Sequence, residues 1–572
     1  MAKKLPKAEL AKLPGCAAEF IRLVIKKMRY RKKVRADVMA ELIAHFEDGL
    51  NDCAAGEEKE RKAQELVAEF GDAKLLGVLL RRAKKRCRPL WRTVAARTFQ
   101  AAAVLILFLI VYAVWFLSGK AVIDTDYVAR ANEIVRPVAD ESLNAASLYN
   151  KATELYEQSV EAYNKEYESG FELPENSRVT FWVLLEKNYS ETNTEQKQLI
   201  QKWMDENEQL FDLVLAGTQR PYYWHKYESK DGKLLSILMP NLSGYRRLAK
   251  ALRWRAYFHA EDGQYKDALT DMITCCRFGR HLTGDTVLIE QLVGIAITGL
   301  ANSTIRDILS EHQIDSGTLA ELQGEFEEIA DNKSFAISFK TERLLLYDEL
   351  QRCFTAGPDG HIIPKRIIEL SSSESEINFY PESILDELLL LLSKATNIRS
   401  VAYLLFLHPD RQETLKSGNA FYDYCEELAL QTPAKTHASM GERDAEFKEL
   451  FQKNFILSVL MPALEKVIEI SYRACTDYKA TSAIIAALRY KQDKGNYPGG
   501  LEELVASDYL KKLPMDSWSD RPLVYRKTDD DFTLYSVGYN FIDDGGQVYR
   551  NDKGSPRLWA EEGDAVFWPV AK

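Results

Sequence analysis

The sequence contains a run of 20 uncharged residues, TFQAAAVLILFLIVYAVWFL at 98–117, which limits how the rest of the chain can be arranged. A helix of that length is about 30 Å long, close to the hydrocarbon thickness of a bilayer. A helix buried in a globular core normally carries a polar face over such a length. The run begins after 97 residues, which is too far along the chain for a secretory signal peptide. The sequence therefore predicts one transmembrane helix at 98–117.

Charge is distributed unevenly on the two sides of this run. Residues 1–97 carry 24 Lys and Arg against 13 Asp and Glu, a net charge of 24 − 13 = +11. The rest of the chain carries 51 basic and 72 acidic residues, a net charge of −21. Lys and Arg stay preferentially on the cytoplasmic side, and eight of them stand in the 17 residues before the run, with no acidic residue. We therefore expect a membrane protein with its N-terminus in the cytoplasm and most of the chain outside.

A second apolar run, ELLLLLSKATNIRSVAYLLFLHP at 387–409, is interrupted by Lys394, Asn397 and Arg399. Each of the two charges would cost about 3 kcal/mol at the centre of a bilayer. A buried helix or helical hairpin is therefore the preferred interpretation. The alternative matters, because a second span would return the C-terminal part of the chain to the cytoplasm.

The 8 cysteines do not indicate a metal site or a defined disulfide. No CxxC or Cys/His ligand spacing occurs. Three cysteines precede the predicted span, and the five after it cannot all pair within one chain. A disulfide outside the cell stays possible by compartment, but the sequence does not assign one.

Residues 1–97 have the apolar spacing of a small helical domain. ADVMAELIAHFEDGLND places Leu42 and Phe46 on one helical face. EKERKAQELVAEFGDAKLLGVLLRRAKKR has a second amphipathic pattern that breaks at Gly71 and restarts after Asp72, a residue type that caps helix N-termini. We expect two or three short helices in this domain.

The pattern HFEDGL followed by KAQELVAEFGDAKLLGVLLRR resembles the HAAS-type and permease-prefix helical domains at the cytoplasmic N-termini of bacterial membrane proteins. The resemblance implies a regulatory or protein-contact module and not a catalyst. The basic cluster at 81–88 could bind nucleic acid, but a topology signal with anionic-lipid contact explains it more simply. We expect membrane lipid and no nucleic acid as a partner.

From 118 to 450 the predicted extracytoplasmic domain is acidic and mostly helical. ALRWRAYFHAEDGQYKDALTDMITCCRFG, at 251–279, resembles one tetratricopeptide repeat, with Ala256 and Ala268 at the helix crossing and Gly263 in the turn. No clear second copy occurs about 34 residues away. A single antiparallel helix pair that packs by the same rules is an equal alternative.

The sequence carries none of the usual catalytic signatures. HExxH, GxSxG, GxxxxGKS/T and the Rossmann glycine pattern are absent. The histidines are scattered without ligand spacing, and a lone one such as His259 on an apolar helix is typical of a packed, hydrogen-bonded side chain. We therefore assign no catalytic residue and no cofactor-binding residue. An envelope enzyme whose site forms from distant residues in the helical domain stays an alternative.

Residues 451–572 form the predicted C-terminal domain. An apolar stripe that includes Leu464 and Ile468 predicts a long helix that ends at Gly495. RPLVYRK and FTLYSVG have the alternation of two β-strands joined by the acidic turn TDDD. The expected domain is α+β, a long helix followed by a small antiparallel sheet.

The stretch AALRYKQDKGNYPGGLEELVASDYLKKLPMDSWSDRPLVYRKTDDDFTLYSVGYNFIDDGG resembles the globular part of type II secretion major pseudopilins. The shared features are a Gly-x-Tyr-Pro turn, a leucine helix, a Leu-Pro-x-Asp turn and a Tyr-Ser-x-Gly strand end. A pseudopilin starts with a short leader and a membrane helix continuous with this part, whereas a long helical region intervenes here, so we do not expect assembly into a pilus. Ser517 and Ser519 also stand where the family usually has Pro and Gly around the aromatic, here Trp518. The whole chain is similar to large envelope proteins of planctomycete-type bacteria.

Members of the pseudopilin family often bind calcium in the final loop. The matching residues here would be Asn540, Asp543 and Asp544, whose side chains offer oxygen ligands. A plain glycine turn is the alternative, because this loop lacks the fuller acidic set. Calcium at these three residues is thus an expectation implied by the resemblance.

The predicted fold is mainly α, with a small cytoplasmic helical domain (1–97), one transmembrane helix (98–117), a large repeat-like helical domain (118–450) and an α+β pseudopilin-like domain (451–572). As the resemblances imply, we expect a single-pass protein of the bacterial inner (cytoplasmic) membrane, with a structural or protein-binding role in the envelope and unidentified protein partners. One alternative is a transmembrane signalling or regulatory protein that uses the inner helical domain. The other is the envelope enzyme.

Overall fold

The contacts within the chain divide it into two units, Met1–Val114 and Trp115–Lys572. We call them the N-terminal unit and the C-terminal unit. The structure is a computed structural model, and it describes residues 7–54, 56–86, 90–137, 140–170, 181–239, 241–330, 336–366, 407–439, 442–461 and 464–571. Most of the second apolar run, at 387–409, lies outside the described residues.

The N-terminal unit is helical, as expected. Its helices before the apolar run are α1 (Lys7–Leu10), α2 (Gly15–Met28), α3 (Lys32–Leu50), α4 (Glu57–Phe70) and α5 (Ala73–Arg86). The expected two or three helices are too few. α2 has no clear sequence signal at either end, because no side chain caps it after Pro14 and Arg29, rather than a glycine, takes the left-handed conformation that ends it (φ 38°).

α2 is the centre of this unit, and it packs against α3, α4 and α5. Phe20 of α2 lies 6.2 Å from Phe46 of α3 and 5.9 Å from Phe70 of α4, measured between ring centres. The predicted break between α4 and α5 is confirmed. Gly71 has φ 70°, and the Asp72 side chain accepts a hydrogen bond from the Lys74 amide at 2.6 Å.

α6 (Leu90–Leu117) contains the whole predicted transmembrane run and begins eight residues earlier (98 − 90 = 8). Its apolar side chains face away from the protein, with 11% of its most apolar window buried. Among the described residues, α14 (Leu288–Glu311) is the other helix that is long and apolar enough to span a bilayer, and 67% of its window is buried. The helix at 98–117 is confirmed, and its exposure distinguishes it from α14, which packs in the core.

The C-terminal unit is mostly helical up to about residue 494, as predicted. Besides α14, its helices up to 460 are α7 (Tyr127–Val135), α8 (Ala146–Gly170), α9 (Phe181–Glu186), α10 (Thr194–Glu206), α11 (Glu208–Thr218), α12 (Leu242–Glu261), α13 (Tyr265–His281), α15 (Ser316–Ala330), α16 (Lys340–Cys353), α17 (Arg411–Ala429), α18 (Pro433–Ser439), α19 (Glu442–Lys453) and α20 (Phe455–Leu460).

α12 and α13 form the helix pair that the sequence predicts at 251–279. Gly263 has φ 76° in the turn between them, and Ala256 and Ala268 are fully buried. α14 packs on both α12 and α13, and α15 packs on α13, so the helices after residue 281 surround the predicted pair.

α13 and α14 approach each other closely at two glycines. A Cβ built on Gly294 would lie 2.4 Å from the carbonyl oxygen of Gly279, and one built on Gly279 would lie 2.5 Å from that of Gly294. Backbone atoms in packed helices have little room to move aside, so even one methyl group would push the helices apart. Gly299, also in α14, has no atom within 4 Å of the corresponding position.

We expect Gly294→Ala to lower the free energy of unfolding by about 1–3 kcal/mol, because the added methyl overpacks the helix contact. The matched substitution Gly299→Ala should raise it by up to about 1 kcal/mol, because alanine favours a helix more than glycine does. Urea unfolding of the full-length protein in detergent, followed by circular dichroism, measures both. Equal effects of the two substitutions would show that the glycine contact is not tight.

The C-terminal domain begins with α21 (Leu464–Lys494), which ends before Gly495 (φ 79°), as predicted. Next come α22 (Leu501–Ala506), β1 (Val524–Lys527), β2 (Phe532–Ser536) and β3 (Ala565–Trp568). The strands form an antiparallel sheet in the order β1-β2-β3. Lys527 pairs with Phe532, so the acidic turn TDDD closes the predicted hairpin. The long helix followed by a small antiparallel sheet is confirmed.

β3 is a strand that the sequence analysis does not predict. Its four residues, AVFW, are all apolar and all buried. They therefore lack the alternation of polar and apolar residues from which the sequence analysis predicts β1 and β2. The pairing of β2 with β3 is irregular between Leu534 and Tyr535. A short, fully buried run of this kind carries no strand signal of its own, because the same run fits a buried helix.

α21 joins the sheet to α14 and α15. It packs on α14 and α15 as well as on β2 and β3. The ring of Tyr478 stacks on that of Phe326 in α15, with 4.0 Å between ring centres. One buried hydrophobic cluster extends from Ala145 to Trp568. The sequence regions 118–450 and 451–572 therefore share a single core.

Candidate functional site

The turn between α22 and β1 is organised by one buried carboxylate, that of Asp516. Its Oδ1 accepts hydrogen bonds from the Trp518 amide (3.1 Å) and the Ser536 hydroxyl (2.7 Å). Its Oδ2 accepts hydrogen bonds from the Val537 amide (3.2 Å) and the Ser519 hydroxyl (3.1 Å). The Leu-Pro-x-Asp turn is thereby fastened to the end of β2.

The Gly-x-Tyr-Pro turn is fastened to β1. The Tyr525 hydroxyl donates to the Pro498 carbonyl at 3.0 Å, and the Lys527 ammonium donates to the Tyr497 carbonyl at 2.7 Å. The Glu503 carboxylate accepts a hydrogen bond from the Gly499 amide at 2.5 Å. Both turns that the sequence analysis singles out thus hold backbone in place.

A cleft of about 380 Å³ opens beside the Leu-Pro-x-Asp turn. Its walls come from α15, α21 and the segment that joins α22 to β1. Apolar side chains from that segment form much of its surface: Leu510, Leu513, Pro514 and Met515. Met515 is 41% exposed, so an apolar side chain is left open to solvent next to a rigid turn.

Three lysines lie around this cleft. Lys479 donates to the Met515 carbonyl at 3.1 Å, and Lys511 forms an ion pair with Glu327 at 2.9 Å. Lys512 is exposed. The chain after residue 97 has a net charge of −21, so a group of three lysines around one cleft differs from its average composition. An apolar surface edged by ammonium groups suits a peptide segment that carries both apolar side chains and carboxylates.

The three calcium candidates lie in the loop after β2 and have different partners. Asn540 donates to the Asp544 carboxylate at 2.8 Å. The Asp543 carboxylate accepts hydrogen bonds from the Tyr535 hydroxyl (2.8 Å) and the Arg526 guanidinium (3.3 Å). The bond from Tyr535 is the main reason why the pKa of Asp543 is lowered. Asp543 is therefore directed to protein donors.

Asp564, which the sequence analysis does not single out, is buried beside this loop. Its carboxylate accepts hydrogen bonds from the amides of Asp544 (3.2 Å) and Gly546 (2.6 Å). Within the part of the chain that the structure describes, no group of three or more His, Cys, Asp and Glu side chains is placed to hold a metal ion. Calcium at Asn540, Asp543 and Asp544 stays a prediction.

A second polar cluster lies at the start of α14, around the fully buried Glu290. Its carboxylate accepts a hydrogen bond from the Tyr227 hydroxyl, and His225 Nδ1 lies 3.2 Å from the other carboxylate oxygen. The Tyr223 hydroxyl lies 2.8 Å from the same His225 nitrogen. Burial raises the pKa of Glu290 to about 7 and lowers the pKa of His225.

Glu290 lies on a different segment from Tyr223, His225 and Tyr227, so sequence spacing could not bring it to them. The available signal is the concentration of aromatic residues around one histidine in YYWHKY at 222–227. A buried carboxyl beside an imidazole is also the kind of grouping that an enzyme could use. Here the Tyr227 hydroxyl, which donates a hydrogen bond to the Glu290 carboxylate, also accepts one from the Val287 amide at 3.1 Å. The cluster therefore connects the start of α14 to the 223–227 segment.

The buried Glu290 carboxyl predicts a pH-dependent difference between the wild-type protein and Glu290→Gln. Its pKa is about 7 in the folded chain and ordinarily 4.5, so folding takes up a proton between these pH values. The stability that this group contributes is present below pH 4.5 and is lost as the pH rises to about 7. Relative to Glu290→Gln, the wild type should lose about 1–3 kcal/mol between pH 5 and pH 7.5.

The comparison with the variant is needed because buried histidines elsewhere in the protein act in the opposite direction. Burial lowers the pKa of His281 to about 4, so its contribution to stability grows as the pH rises toward 6.5. Urea unfolding of both proteins at a series of pH values isolates Glu290 as the difference. A constant difference across this range would mean that the carboxyl titrates normally.

The last three residues of α6, Trp115 to Leu117, belong to the C-terminal unit and pack within it. Phe116 and Leu117 are 2% and 6% exposed, and the Phe116 ring stacks on the His361 ring with 4.7 Å between centres. The Trp115 ring lies 4.5 Å from the same imidazole. A Cβ built on Gly119 would lie 2.6 Å from His361, so the chain remains close to that residue as it leaves the helix.

The chain matches no protein-family model, no curated protein and no solved structure. The resemblances to pseudopilins and to HAAS-type domains therefore stay predictions from sequence motifs. A function for the chain is therefore argued from the geometry of the cleft, of the buried clusters and of α6.

Proposed function

We propose that this chain is a single-pass, membrane-anchored protein of a bacterial envelope that binds other proteins through its C-terminal unit. The observation that carries the proposal is the exposure of α6. Only 11% of its most apolar 18-residue stretch is buried. Monomeric soluble proteins rarely expose continuous apolar surface on this scale, and a bilayer would remove it from water. The eight basic residues at 81–97 favour a cytoplasmic N-terminal unit.

The proposed binding surface is the cleft beside the Leu-Pro-x-Asp turn. Its support is the combination of exposed Met515, the surrounding lysines and a rigid frame made by the Asp516 hydrogen bonds. Rigid surfaces lose little conformational entropy on binding, so an exposed apolar side chain on such a frame is well suited to contact a partner. The pseudopilin-like motifs would then mark a fold that presents this cleft.

Crosslinking in cells, followed by affinity purification of the full-length chain, tests this function. The variant Lys512→Glu/Met515→Glu reverses one charge and removes one apolar contact in the cleft, and it leaves Asp516 unchanged. We expect it to recover about tenfold less of the crosslinked partners than the wild type, a loss of about 1.4 kcal/mol in binding. Ile542→Glu/Lys553→Glu makes the same two changes at exposed sites outside the cleft and should retain the partners. Equal recovery with both variants would refute the cleft as the binding surface.

Transmembrane signalling is a second candidate, and the packing of Phe116 and Leu117 favours it. A helix whose end is buried against His361 would follow movements of the C-terminal unit more closely than one attached by a flexible linker. Deleting residues 17–90 should then abolish binding of a cytoplasmic partner while leaving partners of the C-terminal unit bound. Retention of every partner after the deletion would count against signalling.

A further inference from the structure

α5 turns one side toward the core of the N-terminal unit and leaves the opposite side open. A Cβ built on Gly77 would lie 2.9 Å from the carbonyl oxygen of Val24, so this side of α5 rests directly on α2. Ala73, one turn earlier, is also buried. Since a helix repeats every 3.6 residues, positions 75, 78 and 79 must lie mainly on the other side.

That open side begins with three apolar side chains. Leu75, Val78 and Leu79 are 60%, 42% and 49% exposed. Leu76 and Leu80, at the edges of the inner side, pack against the buried cluster instead. α5 is thus apolar on its outer face as well as on its inner face, although one side alone suffices to hold it in the unit.

The same open side ends with three basic side chains. Arg82, Lys85 and Arg86 follow Leu75, Val78 and Leu79 at helical spacing, and all three are exposed. Lys84, which lies on the inner side, is paired with Glu41 of α3 at 3.0 Å. We call Leu75, Val78, Leu79, Arg82, Lys85 and Arg86 the basic-apolar face.

This face lies close to the predicted membrane span along the chain. Three residues separate Arg86 from Leu90, where α6 begins, so the two ends are at most about 14 Å apart. Two further basic residues, Arg92 and Arg97, lie on the first turns of α6. The basic-apolar face is therefore held near the side of the bilayer where the positively charged flank of the span stands.

Charge decides between lipid and a second copy of the chain as the occupant. Two copies that met face to face about a twofold axis would bring Arg82, Lys85 and Arg86 of both chains together, with like charges opposed. A leaflet that contains anionic lipid matches both halves of the face, since headgroups attract the bases and acyl chains cover the apolar side chains.

We propose that the basic-apolar face of α5 lies in the interface of an anionic leaflet and holds the N-terminal unit flat against the membrane. The proposal rests on the membrane anchoring proposed above and adds a specific lipid-binding surface to it. α5 is then an interfacial helix that precedes the spanning helix.

Photocrosslinking of the full-length protein in nanodiscs tests the proposal. A photoreactive phenylalanine analogue replaces Leu79 on the face, Gln64 on an exposed part of α4 as a control, or Leu107 in α6 as a reference. The nanodiscs contain either phosphatidylcholine alone or phosphatidylcholine with 30% phosphatidylglycerol. We expect lipid adducts at position 79 to increase about fivefold with the anionic lipid and to stay at background at position 64. Arg82→Glu/Lys85→Glu/Arg86→Glu should remove the increase, and Arg61→Glu/Lys62→Glu should leave it unchanged.

The reference position separates failure of this inference from failure of the anchor. No lipid adduct at position 107 would overturn the membrane anchoring and the inference together. With adducts at position 107, background yield at position 79, a yield independent of anionic lipid, or adducts to a second protein chain would overturn the inference alone.

Discussion

Asp516→Ala is expected to lower the free energy of unfolding of the C-terminal domain by about 3–5 kcal/mol. The substitution removes an acceptor for four hydrogen bonds and leaves the Trp518 and Val537 amides buried without it. Each unsatisfied buried donor costs about 1–3 kcal/mol. Urea unfolding of the full-length protein in detergent, followed by tryptophan fluorescence, gives the size of the loss, because Trp518 is itself buried in this turn.

Two comparisons show whether the loss comes from the hydrogen bonds. Asp530→Ala, in the exposed turn between β1 and β2, should change stability by less than about 0.5 kcal/mol. Asp516→Asn, which keeps the shape and one acceptor oxygen, should fall between the two. Hydrogen exchange should accelerate around residues 516–537 in Asp516→Ala. If that variant behaves like Asp530→Ala, the turn does not depend on the carboxylate.

Asp477→Ala should also destabilise the protein by about 3–5 kcal/mol, because it leaves a buried guanidinium without its counter-charge. Arg306 of α14 and Asp477 of α21 are both 6% exposed, and their charged atoms are 2.9 Å apart. Arg306 also donates to the Thr481 hydroxyl at 2.6 Å. The ion pair therefore joins α14 to α21, the helix that carries the sheet. Urea unfolding of the full-length protein measures the loss.

The double variant Arg306→Met/Asp477→Leu distinguishes two causes of instability, an unpaired buried charge and the loss of side-chain packing. Replacing both partners by apolar side chains removes the buried charges, so we expect it to recover most of the stability lost in Asp477→Ala. If the double variant is as unstable as the single one, the ion pair contributes specific geometry that apolar packing cannot replace. If Asp477→Ala has almost no effect, Arg306 reaches solvent in the folded protein.

Elements with local signals could be predicted from the sequence. Gly71 followed by Asp72 predicts the break between α4 and α5. Gly71 has a φ of 70° there, and the Asp72 side chain accepts a hydrogen bond at the start of α5. Gly495 ends α21, and the alternation on both sides of TDDD predicts the β1–β2 hairpin. In each case the structural role depends on residues within a few positions along the chain.

Features that depend on distant residues could not be predicted in this way. β3 is a four-residue buried run whose strand character comes from pairing with β2. The cleft brings Glu327 together with Lys479 and Lys512, and the buried cluster brings His225 to Glu290. The sequence could supply the residue types for these sites, but their positions follow from how α14, α15 and α21 pack.

The same limit applies to the domain boundary. The motifs in the sequence predict a separate pseudopilin-like domain from residue 451 onward. Yet Tyr478, at the centre of α21, is buried against Phe326 and also lines the cleft. The proposed binding surface is therefore formed by both regions: α15 comes from the first, and α21 and the segment before β1 come from the second.

The proposal of a single membrane span with the N-terminus inside is tested most directly by thiol labelling of spheroplasts that express the full-length chain. Cys16 and Cys53, both half-buried, report the N-terminal unit, and a cysteine introduced by Asp530→Cys reports the exposed β1–β2 turn. We predict that a membrane-impermeant maleimide labels the introduced cysteine in intact spheroplasts and reaches Cys16 and Cys53 only after lysis. Labelling of Cys16 and Cys53 before lysis, or protection of the cysteine at position 530, would contradict a single span with the N-terminus inside.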